Sequence, residues 1–180
     1  MIVSEFWECG HELFKSTSET FPAAFISGDV FNTALIEPRE PFYSEPIAPR
    51  PTDLRILKSL TPLQGHVSAI HASSFFHLFE EQEQLKLASQ LATLLSPLRG
   101  SIIFGTHGGQ SAKGFRTVVI NSRSKHVFCH SPESWEDLWN GKIFKKGSVE
   151  VEVKLFERDP RRFDPPGITM HWLVWSVIRL

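Results

Sequence analysis

The sequence has only two cysteines, Cys9 and Cys129, and they lie far apart in a chain of 180 residues. Its first residues do not form the charged and apolar pattern of a signal peptide. A small secreted domain held together by disulfide bonds is therefore excluded as an interpretation. We expect free thiols and a cytoplasmic protein.

The sequence also lacks an excess of charge and lacks long apolar runs. The formal net charge is -1 and the pI is about 6.7, so nothing in the charge balance attracts nucleic acid or an anionic membrane. No apolar run approaches the roughly 20 residues that a transmembrane helix needs. We therefore expect neither a nucleic-acid nor a membrane partner. The length and the 41% hydrophobic content predict a single globular domain over residues 1–180. The βαβ pattern described next predicts that this domain is of the α/β class.

The middle of the chain has the pattern of a βαβ unit. Residues 66–71 form a short apolar segment typical of a buried strand, and the polar hinge His71-Ala72-Ser73-Ser74 follows it. An amphipathic helix is predicted from Glu80 to Leu95, and a second apolar strand from Ser101 to Gly105. Ligands bind at the carboxyl ends of the strands in such units, so we expect the functional site at the hinge.

Further elements are predicted on both sides of this unit. They are a helix from the cap Ser4 to Phe14, a strand Ala23–Ser27, a proline-rich loop 37–51, a short helix from Thr52 or Asp53 to Leu60, a flexible turn or lid over Gly105–Gly114, a helix after the cap Ser131, a half-solvated strand Ser148–Leu155, a charged loop 159–167 and a buried strand Met170–Leu180. The last two strands predict an antiparallel pair at the C-terminus.

The residues Gly28-Asp29-Val30-Phe31 follow the predicted strand Ala23–Ser27 and form a candidate ligand segment. Glycine permits close approach of the backbone, and aspartate accepts hydrogen bonds from an amino group or a ribose. The alternative is an ordinary turn, because glycine and aspartate are frequent in turns.

Two of the eight histidines, His71 and His77, lie in or just after the hinge. An imidazole titrates near neutral pH, so either residue could accept a proton from a hydroxyl group. The alternative is a hydrogen-bonded histidine in the wall of a pocket. No histidine pair has helical ligand spacing together with a third partner, so we expect no metal site.

Several strings together resemble one enzyme family. They are EFWECGHELF, FISGDVF, AIHASSFFHLF, GSIIFGTHGG, FCHSPESW and LVWSVIRL, and they are similar to the class I S-adenosylmethionine-dependent methyltransferases of fungal terpenoid, meroterpenoid and polyketide biosynthesis. The resemblance implies a Rossmann-like, mostly parallel sheet with a C-terminal antiparallel hairpin. It also implies the cofactor S-adenosyl-L-methionine and methyl transfer to a hydroxyl or carboxyl oxygen of a small secondary metabolite.

The resemblance assigns roles to the two candidate segments. Gly28, Asp29, Val30 and Phe31 resemble the segment that contacts adenine, and the hinge residues His71, Ala72 and Ser73 resemble the segment that passes under the donor. The family's glycine-rich donor loop and the first two strands have no counterpart in this sequence. A non-catalytic, truncated methyltransferase-like protein is therefore the alternative to an enzyme.

Without those strands, strand 66–71 is expected to have an open edge. Three outcomes follow: Ala23–Ser27 pairs with that edge, a second copy of the chain docks there, or the chain aggregates. We expect the first outcome, because the proline-rich loop is long enough to allow it.

Overall fold

A computed structural model describes residues 4–120, 123–159 and 169–180. Its α-helices are α1 (Ser4–Phe14), α2 (Glu81–Leu94) and α3 (Pro132–Trp139), and its strands are β1 (Ala69–His71), β2 (Ile102–Gly109), β3 (Gly114–Ile120), β4 (Arg123–Cys129), β5 (Val149–Arg158) and β6 (Met170–Arg179). Short 3₁₀ helices occupy Leu54–Ile56, Thr61–Leu63 and Phe76–Leu78. The predicted loop 159–167 lies, apart from its first residue, outside the described residues.

All three predicted long helices are confirmed, and two of them begin with a capping box. At α2 the Glu80 backbone N–H donates to the Glu83 carboxylate at 3.2 Å. At α3 the Ser131 hydroxyl accepts from the Ser134 backbone N–H at 3.3 Å, and Pro132 is the first helical residue. These local pairs satisfy backbone donors that have no partner within the helix, so the helix starts are fixed by adjacent sequence.

Four strands form one mixed sheet in the order β1-β2-β6-β5. Only β1 and β2 are parallel, whereas β6 is antiparallel to both β2 and β5. The predicted C-terminal antiparallel hairpin is confirmed, and β5 continues beyond the predicted Leu155 to Arg158. The expected mostly parallel sheet is wrong for the described residues, because β6 lies between the parallel pair and β5.

The two faces of this sheet differ. Alternate residues such as Ile103, Leu173 and Val177 are fully buried on one side, which we call the inner face. Helices α2 and α3 contribute Leu87, Leu91, Trp135 and Trp139 to the same core. The opposite, outer face carries Phe104, Val174 and Phe156, each of which is more than a third exposed.

The predicted strand Ala23–Ser27 is not a strand. Phe25 instead stacks on Trp7 of α1, with ring centroids 5.0 Å apart. The expected pairing of this segment with the edge of β1 is therefore also wrong. Part of that edge is used locally, because the Val67 N–H donates to Leu94 O at 3.0 Å and Val67 O accepts from the Ser96 N–H at 2.8 Å.

The glycine-rich segment Gly105–Gly114 is neither a flexible loop nor a lid. Strand β2 continues through it to Gly109, and after a short turn β3 pairs with β4 as an antiparallel hairpin that the sequence analysis did not predict. Glycine at position 105 allows close packing, because a Cβ there would lie 2.6 Å from Ala72 O. Such a contact requires the small residue regardless of flexibility.

The short helix predicted up to Leu60 is only the 3₁₀ helix Leu54–Ile56, whose cap is Asp53. Within the described part of the chain, no helix combines the length and the apolar character needed to cross a membrane.

Candidate functional site

The hinge lies at the carboxyl end of β1, where the chain leaves the sheet. The Ala72 N–H donates to Phe104 O at 2.9 Å, and the Ser74 N–H donates to Thr106 O at 2.7 Å. Between these bonds the Thr106 N–H donates to the Ser73 side-chain oxygen at 3.1 Å. The Ser73 hydroxyl therefore takes the place of a backbone acceptor. Ser74 has a positive φ of 53°, which turns the chain toward the 3₁₀ helix Phe76–Leu78.

His71 and Ser73 form a hydrogen-bonded pair at this point. The Ser73 Oγ lies 2.7 Å from the His71 Nε2, and the His71 ring lies against Phe104 with centroids 5.1 Å apart. His71 is exposed on the outer face. Because residues 71 and 73 are two apart in extended chain, their side chains point to the same side, and Ser73 fixes one imidazole nitrogen and the ring orientation.

The segment 28–31 contains a turn held by the Asp29 side chain. The Asp29 Oδ1 accepts from the Phe31 N–H at 2.9 Å, and Asp29 O accepts from the Asn32 N–H at 2.9 Å. A Cβ on Gly28 would lie 2.9 Å from the Leu35 side chain, so Gly28 permits close packing here. The geometry is that of an Asx turn, and Asp29 remains exposed with one carboxylate oxygen outside this bond.

Helix α2 holds this segment in place. The Gln90 Nε2 donates to Val30 O at 2.6 Å, and the Lys86 Nζ donates to Phe31 O at 3.4 Å. The Phe31 ring packs edge-on against Phe79 at 5.0 Å, and Phe79 packs in the same way against Phe75 at 5.3 Å. One aromatic cluster thus joins the segment 28–31 to the residues that follow the hinge.

The two histidines predicted near the hinge face different surroundings. His77 lies in the 3₁₀ helix Phe76–Leu78 and is half-buried. His71 contacts Phe104 on the outer face. The structure therefore places His71 beside Ser73, and places His77 in the 3₁₀ helix that follows the hinge.

Two buried histidines were missed from the sequence. Burial lowers the pKa of His107 to about 3, and its Nδ1 accepts from the Trp175 Nε1–H at 3.0 Å. Burial likewise lowers the pKa of His130 to about 4, and its Nδ1 lies 2.8 Å from the Ser134 hydroxyl. Both rings are neutral at pH 7. The sequence did contain a signal for the burial of His107. Side chains alternate between the two faces of a strand, and His107 is four residues after the buried Ile103 in β2, so both point to the inner face.

Among the residues that the structure describes, no group of three or more histidine, cysteine, aspartate or glutamate side chains could hold a metal ion. The polar side chains of the hinge, His71 and Ser73, can donate and accept hydrogen bonds.

The chain is similar in sequence to several fungal proteins that are named methyltransferases. A protein named "O-methyltransferase phiE", from a fungal species, is 30% identical over 155 residues, which is 84% of this chain and 43% of that protein. "Asnovolin E/Chermesin D methyltransferase nvfJ" from Aspergillus novofumigatus is 28% identical over 120 residues, or 67% of this chain and 42% of that protein. "Methyltransferase adrK" from Penicillium rubens is 25% identical over 157 residues, or 86% of this chain and 47% of that protein.

No family model matches the chain. The chain spans less than half the length of each of these relatives. Over most of its own length it is similar to proteins named methyltransferases, and its α/β architecture with a mixed sheet is compatible with such a fold.

Proposed function

We propose that this chain is part of an S-adenosylmethionine-dependent methyltransferase that transfers a methyl group to an oxygen of a small secondary metabolite, such as a terpenoid or meroterpenoid. The observation that carries the proposal is the likeness to "O-methyltransferase phiE" over 84% of the chain. The polar hinge after β1, held against β2 by the Ser73 and Ser74 bonds, supports it as a site at the carboxyl end of a parallel strand pair.

The residues present fit the adenosine part of the donor. Asp29 is exposed, and its bond to the Phe31 N–H uses only one of two carboxylate oxygens. The other oxygen can accept from an adenine amino group while Gly28, Val30 and Phe31 line the contact. His71, Ala72 and Ser73 would pass beneath the donor. When bound, the donor supplies an electrophilic methyl group on a sulfonium.

His71 then acts on the acceptor. If the acceptor is a hydroxyl group, the proton leaves the oxygen as the methyl–oxygen bond forms, and the His71 nitrogen that is not bonded to Ser73 receives it. If the acceptor is a carboxylate, no base is needed, and the residues at the hinge contribute only position. His77 is the second candidate for this role, because it is half-buried whereas His71 is exposed.

Calorimetric titration of the chain with S-adenosylmethionine tests the proposal. The variant Asp29→Ala should weaken donor binding by about 1–3 kcal/mol, the effect of losing one partner of a hydrogen bond in a bound complex. Asp53→Ala is a matched control, because the Asp53 side chain makes the same kind of bond, accepting from the Arg55 N–H at 3.0 Å, in a different part of the chain.

Equal donor affinity in both variants would contradict the role of Asp29. A folded chain that gives no heat with millimolar donor would contradict donor binding by these residues and leave a non-catalytic, methyltransferase-like protein.

A further inference from the structure

Segment 28–31 is not part of the sheet, so strand pairing does not fix its position. The hydrogen bonds that shape its turn are local: the Phe31 N–H donates to the Asp29 carboxylate, and the Asn32 N–H donates to Asp29 O, each at 2.9 Å. These bonds give the turn its shape but do not attach it to the rest of the molecule. Its position therefore depends on side chains from other elements.

Gln90 of α2 makes a contact of this kind. Its Nε2 donates to Val30 O at 2.6 Å, across 60 positions of the chain, and Gln90 is only 5% exposed. The bond from the Lys86 Nζ to Phe31 O is longer, at 3.4 Å, and is exposed to solvent. A hydrogen bond is electrostatically stronger where water is excluded, so Gln90 holds the segment more firmly than Lys86 does.

Packing alone does not explain an amide at position 90. Gln90 lies among buried apolar residues of the same helix, which include Leu87, Leu91 and Leu94. Because Val30 O can only accept, the NH2 of the amide faces it, and the Oε1 is left buried with no hydrogen-bond partner among the described residues. An apolar side chain of similar size would not bury such an oxygen. The bond to Val30 therefore accounts for the amide.

We propose that Gln90 is a positioning residue for the nucleoside end of the methyl donor. Through Val30 O it holds segment 28–31 in the conformation that receives the base. The inference rests on the proposed function, in which this segment contacts adenine. A segment that is fixed beforehand loses little conformational freedom when the donor binds. If only a fraction of the molecules has the segment in this conformation, the apparent affinity falls by the same fraction.

Helix α2 also contacts the residues that follow the hinge. Gln84, six positions before Gln90, donates from its Nε2 to Phe79 O at 2.9 Å. At a rise of about 1.5 Å per residue, the two glutamines are about 9 Å apart along the helix axis. Each glutamine thus holds a different carbonyl group, so the loss of the Gln90 amide should loosen segment 28–31 and leave the hinge in place.

Gln90→Met tests the inference, because methionine has a similar length and helix propensity but cannot donate a hydrogen bond. Gln64→Met is the matched control: Gln64 is also 5% exposed, and its Nε2 donates to Glu37 O at 2.7 Å, outside both candidate segments. Urea unfolding should show a loss of stability in both variants. Titration with S-adenosylmethionine should show an affinity lower by about 2- to 10-fold in Gln90→Met, the factor for one net hydrogen bond, and unchanged in Gln64→Met.

Amide hydrogen exchange without the donor gives a second readout. In Gln90→Met the N–H groups of Phe31 and Asn32 should exchange faster than in the parent chain, whereas the Ser74 N–H, bonded to Thr106 O in the hinge, should not. Should Gln90→Met not fold, Gln90→Asn replaces it, because the amide is then one methylene too short to keep its bond to Val30 O.

The outcomes separate this inference from the proposed function. A parent chain that gives no heat with millimolar donor overturns both. A parent that binds the donor, with equal affinities in Gln90→Met and Gln64→Met, overturns the role of Gln90 alone. Unchanged exchange at Phe31 and Asn32 in Gln90→Met also overturns it, because the turn would then keep its position without the Val30 bond.

Discussion

The two faces of the four-stranded sheet show how differently one set of strands can be used. On the inner face, Phe76 packs edge-to-face against Trp135 and Trp175 with ring centroids 4.9 and 5.7 Å apart, and Phe76 and Trp135 are fully buried. On the outer face, aromatic rings such as Phe104 and Phe156 remain partly exposed. Stability therefore depends mainly on the inner face, while the hinge and His71 are accessible from the outer one.

The largest expected effect compares the same substitution on the two faces. Phe76→Ala removes a ring that is 0% exposed and leaves a cavity, which should lower the free energy of unfolding by about 3–5 kcal/mol. Phe156→Ala on the outer face removes a ring that is already 50% exposed, so the loss should be below about 1 kcal/mol. Urea unfolding of both variants measures the difference. Similar losses in the two variants would contradict the conclusion that the inner face contributes more to stability than the outer face.

The second prediction concerns the pH dependence of the inner face. The folded pKa values of His107 and His130, about 3 and about 4, lie below the ordinary 6.5. At pH values between the folded pKa values and 6.5, these histidines bind protons in the unfolded chain but not in the folded chain. Their contribution to stability is therefore fully present above pH 6.5 and falls as the pH is lowered toward 4. Each histidine should contribute a slope of about 1.4 kcal/mol per pH unit.

Urea unfolding at pH 7 and pH 5 measures this slope, and His107→Gln should reduce it by about half. Protonation of His107 at Nδ1 would also remove the acceptor of the Trp175 Nε1–H bond. An unchanged slope in His107→Gln would mean that His107 is not neutral and buried in the folded chain.

Sequence reasoning located elements whose signals are local. Helices α2 and α3 were predictable because Glu80 with Glu83 and Ser131 with Ser134 are caps complete within one turn. Strand β6 was predictable as a nearly continuous apolar run. Segment Ala23–Ser27 was misjudged because a strand exists only beside another strand, and its composition does not reveal whether a neighbour is present.

The candidate site was predictable in part for the same reason. The spacing of His71 and Ser73 placed both in the hinge, but the acceptor role of Ser73 toward the Thr106 N–H depends on the register of β1 and β2. The cluster of Phe31 with Phe79 joins residues far apart in the chain, and no local pattern signals such a contact. The ligand role of Asp29 remains a prediction.

The third prediction uses glycine to test close packing at the inner face. Gly105→Ala would place a Cβ 2.6 Å from Ala72 O and 3.1 Å from the Trp175 ring. Backbone must then shift, which should lower the free energy of unfolding by about 1–3 kcal/mol. Gly10→Ala in α1 is the control, because nothing lies within 4 Å of its Cβ, and it should stabilise the chain by about 0.5–1 kcal/mol. Thermal unfolding compares the two. A neutral Gly105→Ala would mean that β1 and β2 are not held at this distance.

The smallest expected change in the free energy of unfolding is at the solvent-accessible hinge. Ser73→Ala leaves the Thr106 N–H without its acceptor and frees His71 from its partner. Because Ser73 is only half-buried, water can replace part of the lost bond, and the free energy of unfolding should fall by about 0.5–1.5 kcal/mol. Amide exchange should show the change most directly, since the Thr106 N–H should exchange faster while the N–H of Ala72, bonded to Phe104 O, should not. Equal acceleration at both amides would indicate that the whole β1–β2 pair had loosened, and the hydroxyl would then have no specific role in holding the hinge.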